Sequence, residues 1–214
     1  MGKRAQLLSV AGTAWCVAAF FGVLILYIGL LYHQQLHSAR EDLDYRLLMA
    51  ASALDHVLHE DFFQRAVAPG GVTNGEDREN IRKLTTLANE LGVTYLYTLF
   101  VTNEMSYITS SSASPEEIAE QKEVRFFTAY PEMAERAFAA INSSSPTYAD
   151  YRDRWGDFRH VYVPRRTTDG IRYLLCADYD LAGLRSVLRD RTWHVLALSL
   201  LLFVAPVPLF VRYR

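Results

Sequence analysis

Two uncharged apolar runs bracket a mixed middle. Residues 7–32, LLSVAGTAWCVAAFFGVLILYIGLLY, carry no charged side chain. That is long enough to span a bilayer core, which needs about 20 apolar residues. It is longer than the apolar core of a secretory signal, and Tyr27 and Tyr32 stand where a small-residue cleavage site would be expected. Residues 193–211, WHVLALSLLLFVAPVPLFV, form the second run. Trp193 suits one membrane interface and Tyr213 with Arg212 the other. Pro206 and Pro208 loosen its last turns, which a membrane span tolerates better than a soluble helix does.

The middle alternates between helical and strand periods. Leu36, Leu43, Leu47, Ala50, Leu54 and Leu58 recur at spacings of three, four and seven, one apolar stripe on a helix over 33–66. No Pro or Gly interrupts 30–68, so span and helix are expected to form one rod, with about 50 Å of it beyond the span. VAPGGVTNGE at 67–76 is a turn-rich break. A helix over about 77–91 follows, closed by Gly92. Strands are expected at 94–101 and 105–110 around an Asn103-Glu104 turn. Ser114-Pro115-Glu116-Glu117 starts a short helix, and Pro131 opens another reaching about Ile141. Three strands come last, at 148–153, 158–165 and 171–180. Asp169-Gly170 predicts a type I′ hairpin, with Thr168 opposite Ile171 and partner numbers summing to 339. That register puts His160, Tyr162, Tyr173, Leu175 and Tyr179 on one face. Arg159, Val161, Leu174, Cys176 and Asp178 fall on the other, with Arg159 and Asp178 as diagonal neighbours. The fold class is thus α+β: an antiparallel sheet of about five strands with a long N-terminal helix, flanked by two transmembrane helices.

Charge adds orientation. Lys3 and Arg4 precede the first span, and Arg212 and Arg214 follow the second, which directs both ends to the cytoplasm. The remaining 18 basic residues and all 24 acidic ones lie within 33–192, giving that segment a net charge of −6. No basic stripe suits nucleic acid. Cys16 and Cys176 belong to distant elements and are expected as free thiols. His33 and His37 are four apart but lack a carboxylate motif, so no metal is expected. Asn142-Ser143-Ser144 matches a glycosylation sequon, a pattern frequent by chance. No G-x-S-x-G, P-loop or zinc spacing occurs, so neither a cofactor nor an enzymatic role is expected.

TYLYTL at 94–99, ITSSSAS at 108–114, DRWGDFRHVYVP at 153–164 and DGIRYLLCADYD at 169–180 supply the most specific text. With the order of elements, they resemble the extracytoplasmic PAS-like sensor domains, often called Cache domains, of bacterial chemoreceptors, histidine kinases and diguanylate cyclases. The resemblance covers about 33–192. It implies a homodimer in the bacterial inner membrane, with the central domain in the periplasm and a small-molecule ligand beside the sheet: a carboxylate, an amine or an amino acid. Such receptors continue into a cytoplasmic output domain. The sequence ends at Arg214, so a continuation or a partner is expected to supply the output.

A pocket for a polar metabolite needs a few convergent charges in an aromatic wall. The candidates are Tyr97, Arg125, Tyr130, Trp155, Arg159, His160, Tyr173 and Asp178. Trp155 reads first as a core plug and Arg125 as a surface residue. Asp178 could instead pair with Arg159 or cap the helix at Leu181. The competing account of the whole chain is a ligand-free, two-span envelope adaptor that docks another protein through an exposed apolar patch.

Overall fold

A computed structural model describes residues 2–102, 105–182, 197 and 200. A compact unit spans Leu43–Val187; outside it lie Met1–Asp42 and Leu188–Arg214. The Asn103-Glu104 turn and almost all of the second apolar run fall outside the described residues.

The elements are α1 (Gly2–Arg65), α2 (Asn74–Leu91), β1 (Tyr95–Val101), β2 (Ser106–Ser111), α3 (Pro115–Glu120), β3 (Thr128–Ala129), α4 (Ala134–Ile141), β4 (Thr147–Asp153), β5 (Gly156–Arg166) and β6 (Arg172–Asp180). A 3₁₀ turn at Pro131–Met133 leads into α4. The sheet has six strands rather than about five, in the order β3-β2-β1-β6-β5-β4. The extra strand is the two-residue β3, too short to leave an alternation pattern. Among the described residues one helix, Ala19–Arg65, is long and apolar enough to cross a membrane.

Helix ends follow their chemistry. Thr73 accepts from Glu76 N at 3.2 Å and starts α2 three residues earlier than its apolar period suggests. Gly92, at φ 64°, closes it by donating to the carbonyls of Ala88 and Asn89. Ser114 and Glu117 form a capping box on α3.

The apolar stripe of α1 packs as expected. Leu43, Leu47, Ala50, Leu54 and Leu58 are buried with Leu84 and Ala88 of α2 against Leu96, Val161, Val163, Leu175 and Ala177 of the sheet. The expected unbroken rod is corrected at His59, whose φ of 55° and ψ of 161° interrupt the helix. That conformation costs a non-glycine residue about 1–3 kcal/mol. It persists because the turn beyond it is fixed: Phe62 and Phe63 are buried, and Glu60 Oε1 accepts from Thr168 N at 2.5 Å.

The β5–β6 register also differs from the sequence expectation. Observed partners sum to 338: His160 faces Asp178, Tyr162 faces Cys176 and Pro164 faces Leu174. Only Gly170 in the turn has positive φ, at 86°, so a type I′ turn, which needs two such residues, does not form. Gly170 N donates to Thr167 O, and Thr167 N to Ile171 O. This is a three-residue loop with a left-handed glycine. A slip of one residue exchanges faces. His160 and Tyr162 therefore share a face with Leu174, Cys176 and Asp178, while Arg159 and Val161 share the other with Tyr173 and Leu175. Arg159 and Asp178 are not diagonal neighbours; they lie on opposite faces of the sheet.

On the α1 face, three carboxylates clamp the helix. Arg159 binds Asp44 through Nε at 2.8 Å and Nη2 at 2.7 Å, and reaches Asp150 at 2.9 Å. Asp55 accepts from Arg165 at 2.9 Å and from the Tyr173 hydroxyl at 3.0 Å. Glu60 holds the hairpin loop as above. Replacing Asp44 or Arg159 by Ala is expected to lower stability by about 1–3 kcal/mol, between the values for exposed and buried pairs. A double-mutant cycle by chemical denaturation checks this: the pair should be non-additive by a similar amount, and additivity would contradict the clamp.

Candidate functional site

The opposite face of the sheet carries a second, more polar core. α4 supplies Ala137, Ala140 and Ile141, and the 3₁₀ turn Met133, against Tyr97, Leu99, Tyr151, Tyr162, Leu174 and Cys176. α4 covers only part of this face. Beside it a cleft opens over β1, β2 and β5–β6. Its cavity volume is about 30 Å³. A water needs about 10–15 Å³ on that measure, so the cleft is narrow as it stands.

A bulge builds one wall. The β1–β2 register shifts between Thr98 and Leu99, so Tyr97 faces Ser111 and Leu99 faces Ile108. The extra residue lets Ile108 and Ser111, three positions apart, both line the cleft, where strict alternation would oppose them. Tyr95, Tyr97, Tyr130, Trp155 and Phe158 supply the aromatic wall. Tyr130 meets Tyr97 and Trp155 edge-on, with centroids 6.5 and 5.4 Å apart.

The charged groups are carboxylates, set beside Ser111 and Ser112. Asp178, from the central strand β6, is 3% exposed. Its Oδ2 accepts from the Tyr151 hydroxyl at 2.7 Å, and its Oδ1 contacts His160 Nδ1 and the Tyr97 hydroxyl. His160 is fully buried beneath the cleft, and its Nε2 has no hydrogen-bond partner among the described residues, like the Tyr162 hydroxyl beside it. Asp153 accepts from the Tyr130 hydroxyl on Oδ2 and from the backbone of Trp155 and Gly156 on Oδ1, which fixes the β4–β5 turn at the rim. Glu117, held by its capping box, reaches the cleft from α3. Among the described residues the lining holds three carboxylates and no Lys, Arg or His, although Arg154 lies over the Trp155 ring at 4.1 Å.

Four of the eight candidate residues line this cleft: Tyr97, Tyr130, Trp155 and Asp178. His160 supports it from below. Arg159 and Tyr173 are on the other face, in the α1 clamp; Tyr173 also stacks on Phe63 at 3.9 Å. Arg125 lies away from it, paired with Asp77 at 2.7 Å. The sequence reading missed Tyr95, Glu117, Tyr151, Asp153 and Phe158. Asp153 carried a signal, because Asp two residues before a turn amide is a favoured turn acceptor. Tyr151 and Phe158 are cross-strand partners on the cleft face, as the β4–β5 register shows.

No protein-family model matches this chain, and no curated protein matches it in sequence. In shape it is similar to sensory domains. One is the ligand-binding domain of the Campylobacter jejuni chemoreceptor Tlp3, solved with 4-methylisoleucine: 9% identity, TM-score 0.46, covering 73% of this chain and 57% of that one. Another is that of the Pseudomonas aeruginosa amino-acid chemoreceptor PctC, solved with GABA: 14% identity, TM-score 0.33, covering 71% and 68%. A GAF domain/HD domain protein from Geobacter sulfurreducens is similar over 54% of this chain and 86% of that one, at 12% identity and TM-score 0.32. This chain thus spans little more than half the length of the first Tlp3 domain. At these scores the similarity is one of outline.

The cleft phenols resist ionisation. Burial, then the Glu117 carboxylate, pushes Tyr95 up to about 12. Burial first, then Asp178, holds Tyr97 and Tyr151 well above the usual phenol value, and burial with the Asp153 bond does so for Tyr130. Folded-state values are raised, so this contribution is intact below about pH 10, where unfolded phenols begin to ionise. It is lost as pH climbs through 12. Stability should fall there by about 1.4 kcal/mol per pH unit for each withheld phenol. Absorbance at 295 nm should show these tyrosines ionising only on unfolding; all 13 tyrosines titrating near 10 in the folded chain would contradict the burial.

Proposed function

We propose that the chain is a membrane-anchored sensory input module whose outer domain binds a small amine in the cleft. The observation that carries this is the lining: three carboxylates within an aromatic wall, with no cationic side chain among the described lining residues. An ammonium group gains from Asp178 by charge-assisted hydrogen bonds and from the Tyr and Trp faces by cation–π attraction. A simple carboxylate finds only like charge. An amino acid would enter ammonium-first.

In this reading 7–32 and 193–211 are the two spans, 33–192 is periplasmic, and residues 1–6 and 212–214 are cytoplasmic. The exposed Phe20, Ile25, Leu26 and Leu30 of α1 suit a lipid environment. Exposed Tyr45 and Met49 suit a helix-paired homodimer. The relay is short. Thr94 N donates to Asp178 O at 2.8 Å, Asp180 N to Thr94 Oγ1 at 2.9 Å, and Asp180 Oδ1 caps Ala182 N at 2.8 Å, where the chain turns helical. A ligand drawn onto Asp178 thus acts two residues from the segment leading to the second span. It shifts that segment only by as much as it favours one state over the other.

Thermal-shift and calorimetric titration of the full chain in detergent should show stabilisation by one class of amine, about 2.7 kcal/mol at a hundredfold excess over Kd. Carboxylates without an amino group should give none. Asp178→Asn should abolish binding and Trp155→Ala weaken it about tenfold or more. Stabilisation by simple carboxylates, or unchanged binding in Asp178→Asn, would refute the reading. Silence across the whole panel would return the chain to the adaptor account.

A further inference from the structure

A second concavity lies between α2 and α3 and has the opposite charge. Its volume is about 690 Å³, against about 30 Å³ in the cleft. The segment 117–125 is the wall between them: Glu117 and Val124 line the cleft, whereas Ile118, Glu123 and Arg125 line the groove. No α3 residue is buried.

Three arginines converge on this groove from two elements. Arg78 and Arg82 lie four apart on α2, hence one above the other on the same helix face. Arg125 comes from the segment after α3. Its placement is built. Asp77, whose side chain is 4% exposed, accepts from Arg125 Nε at 2.7 Å and from Phe126 N at 3.1 Å. One oxygen of this buried carboxylate orients the guanidinium and the other holds the adjoining backbone N–H, while the terminal amino groups of the guanidinium have no protein partner among the described residues. Arg78 has none among them either. Arg82 is engaged by Glu79 through Nε and Nη2, leaving Nη1. Thr86 and Gln121 add polar lining, and among the described residues Glu123 is the one acidic residue in the lining, beside the Asp77 and Glu79 that hold Arg125 and Arg82.

We propose that this groove is a second ligand site, for a small soluble anion carrying two or more carboxylate or phosphate groups. Arginine forks present paired donors that match either group, and several forks around one space select for more than one negative centre. The inference does not depend on the amine reading of the cleft.

The test is calorimetric titration of the full chain in phosphatidylcholine nanodiscs with citrate and, separately, pyrophosphate. At least one should bind saturably, more weakly as salt rises. The exposed double variant Arg78→Gln/Arg82→Gln should lose about tenfold or more in affinity. Arg125→Lys keeps the buried Asp77 paired but removes the fork, and should also lose about tenfold. Asp178→Asn should bind the anion as the parent does, which separates this site from the cleft. Preference between the probes identifies carboxylate or phosphate as the natural group. No saturable binding of either probe, or variants within about threefold of the parent, would overturn the proposal.

Discussion

The pairing of β5 with β6 is the constraint on which the molecule depends. β6 runs between β1 and β5 at the middle of the sheet, so its register assigns every neighbouring side chain to one face or the other. In the observed register Asp178 and His160 turn to the cleft, and Arg159 and Tyr173 to α1. A slip of one residue would put Arg159 and Asp178 on the same face, either turning Arg159 to the cleft side or taking Asp178 out of the cleft. Pro164 shows why the slip does not occur. Thr167 N bonds Ile171 O, so hydrogen-bonded positions recur at 165 and 163, and Pro164 opposite Leu174 needs no N–H. In the two-residue hairpin register Pro164 would occupy a hydrogen-bonded position it cannot fill.

The two faces divide the work. On one, α1 is held by an apolar stripe and by Asp44, Asp55 and Glu60, which bind β5, β6 and the hairpin loop between them. The strained backbone at His59 lets a single helix supply both the long stripe and the Phe63–Tyr173 stack. On the other face, α4 covers half of the sheet and leaves the rest to tyrosines whose hydroxyls converge on two aspartates. The helix anchor and the cleft thus use alternate residues of the same strands, so a change at Asp178 has one layer of β-sheet to cross before it meets α1.

Much of the fold was legible where one period dominates. The α1 stripe, the Gly92 cap, the Ser114–Glu117 start and five of the strands all follow from local chemistry. What escaped depends on distances that local sequence does not encode. Asp-Gly favours a two-residue turn, but the three-residue loop wins because it matches Pro164 to the ladder. That single mismatch reversed the faces and grouped Arg159 with Asp178. Arg125 could not be placed apart from the cleft, because Asp77, forty-eight positions away, could not be seen as the partner that holds it elsewhere. The bulge beside Thr98 left no mark beyond a run of hydroxyl residues.

Disulfide trapping tests the register directly, because Cys176 is already in place and buried. With Cys16 replaced by Ser, Tyr162→Cys is placed opposite Cys176 at a non-hydrogen-bonded pair, about 4.5 Å between Cα atoms, within disulfide range. Val163→Cys points to the other face. Mass spectrometry of digests after mild oxidation should find the crosslink in the Tyr162→Cys chain alone. A crosslink in Val163→Cys and none in Tyr162→Cys would place the partners at 339, and both the α1 clamp and the cleft would have to be rebuilt.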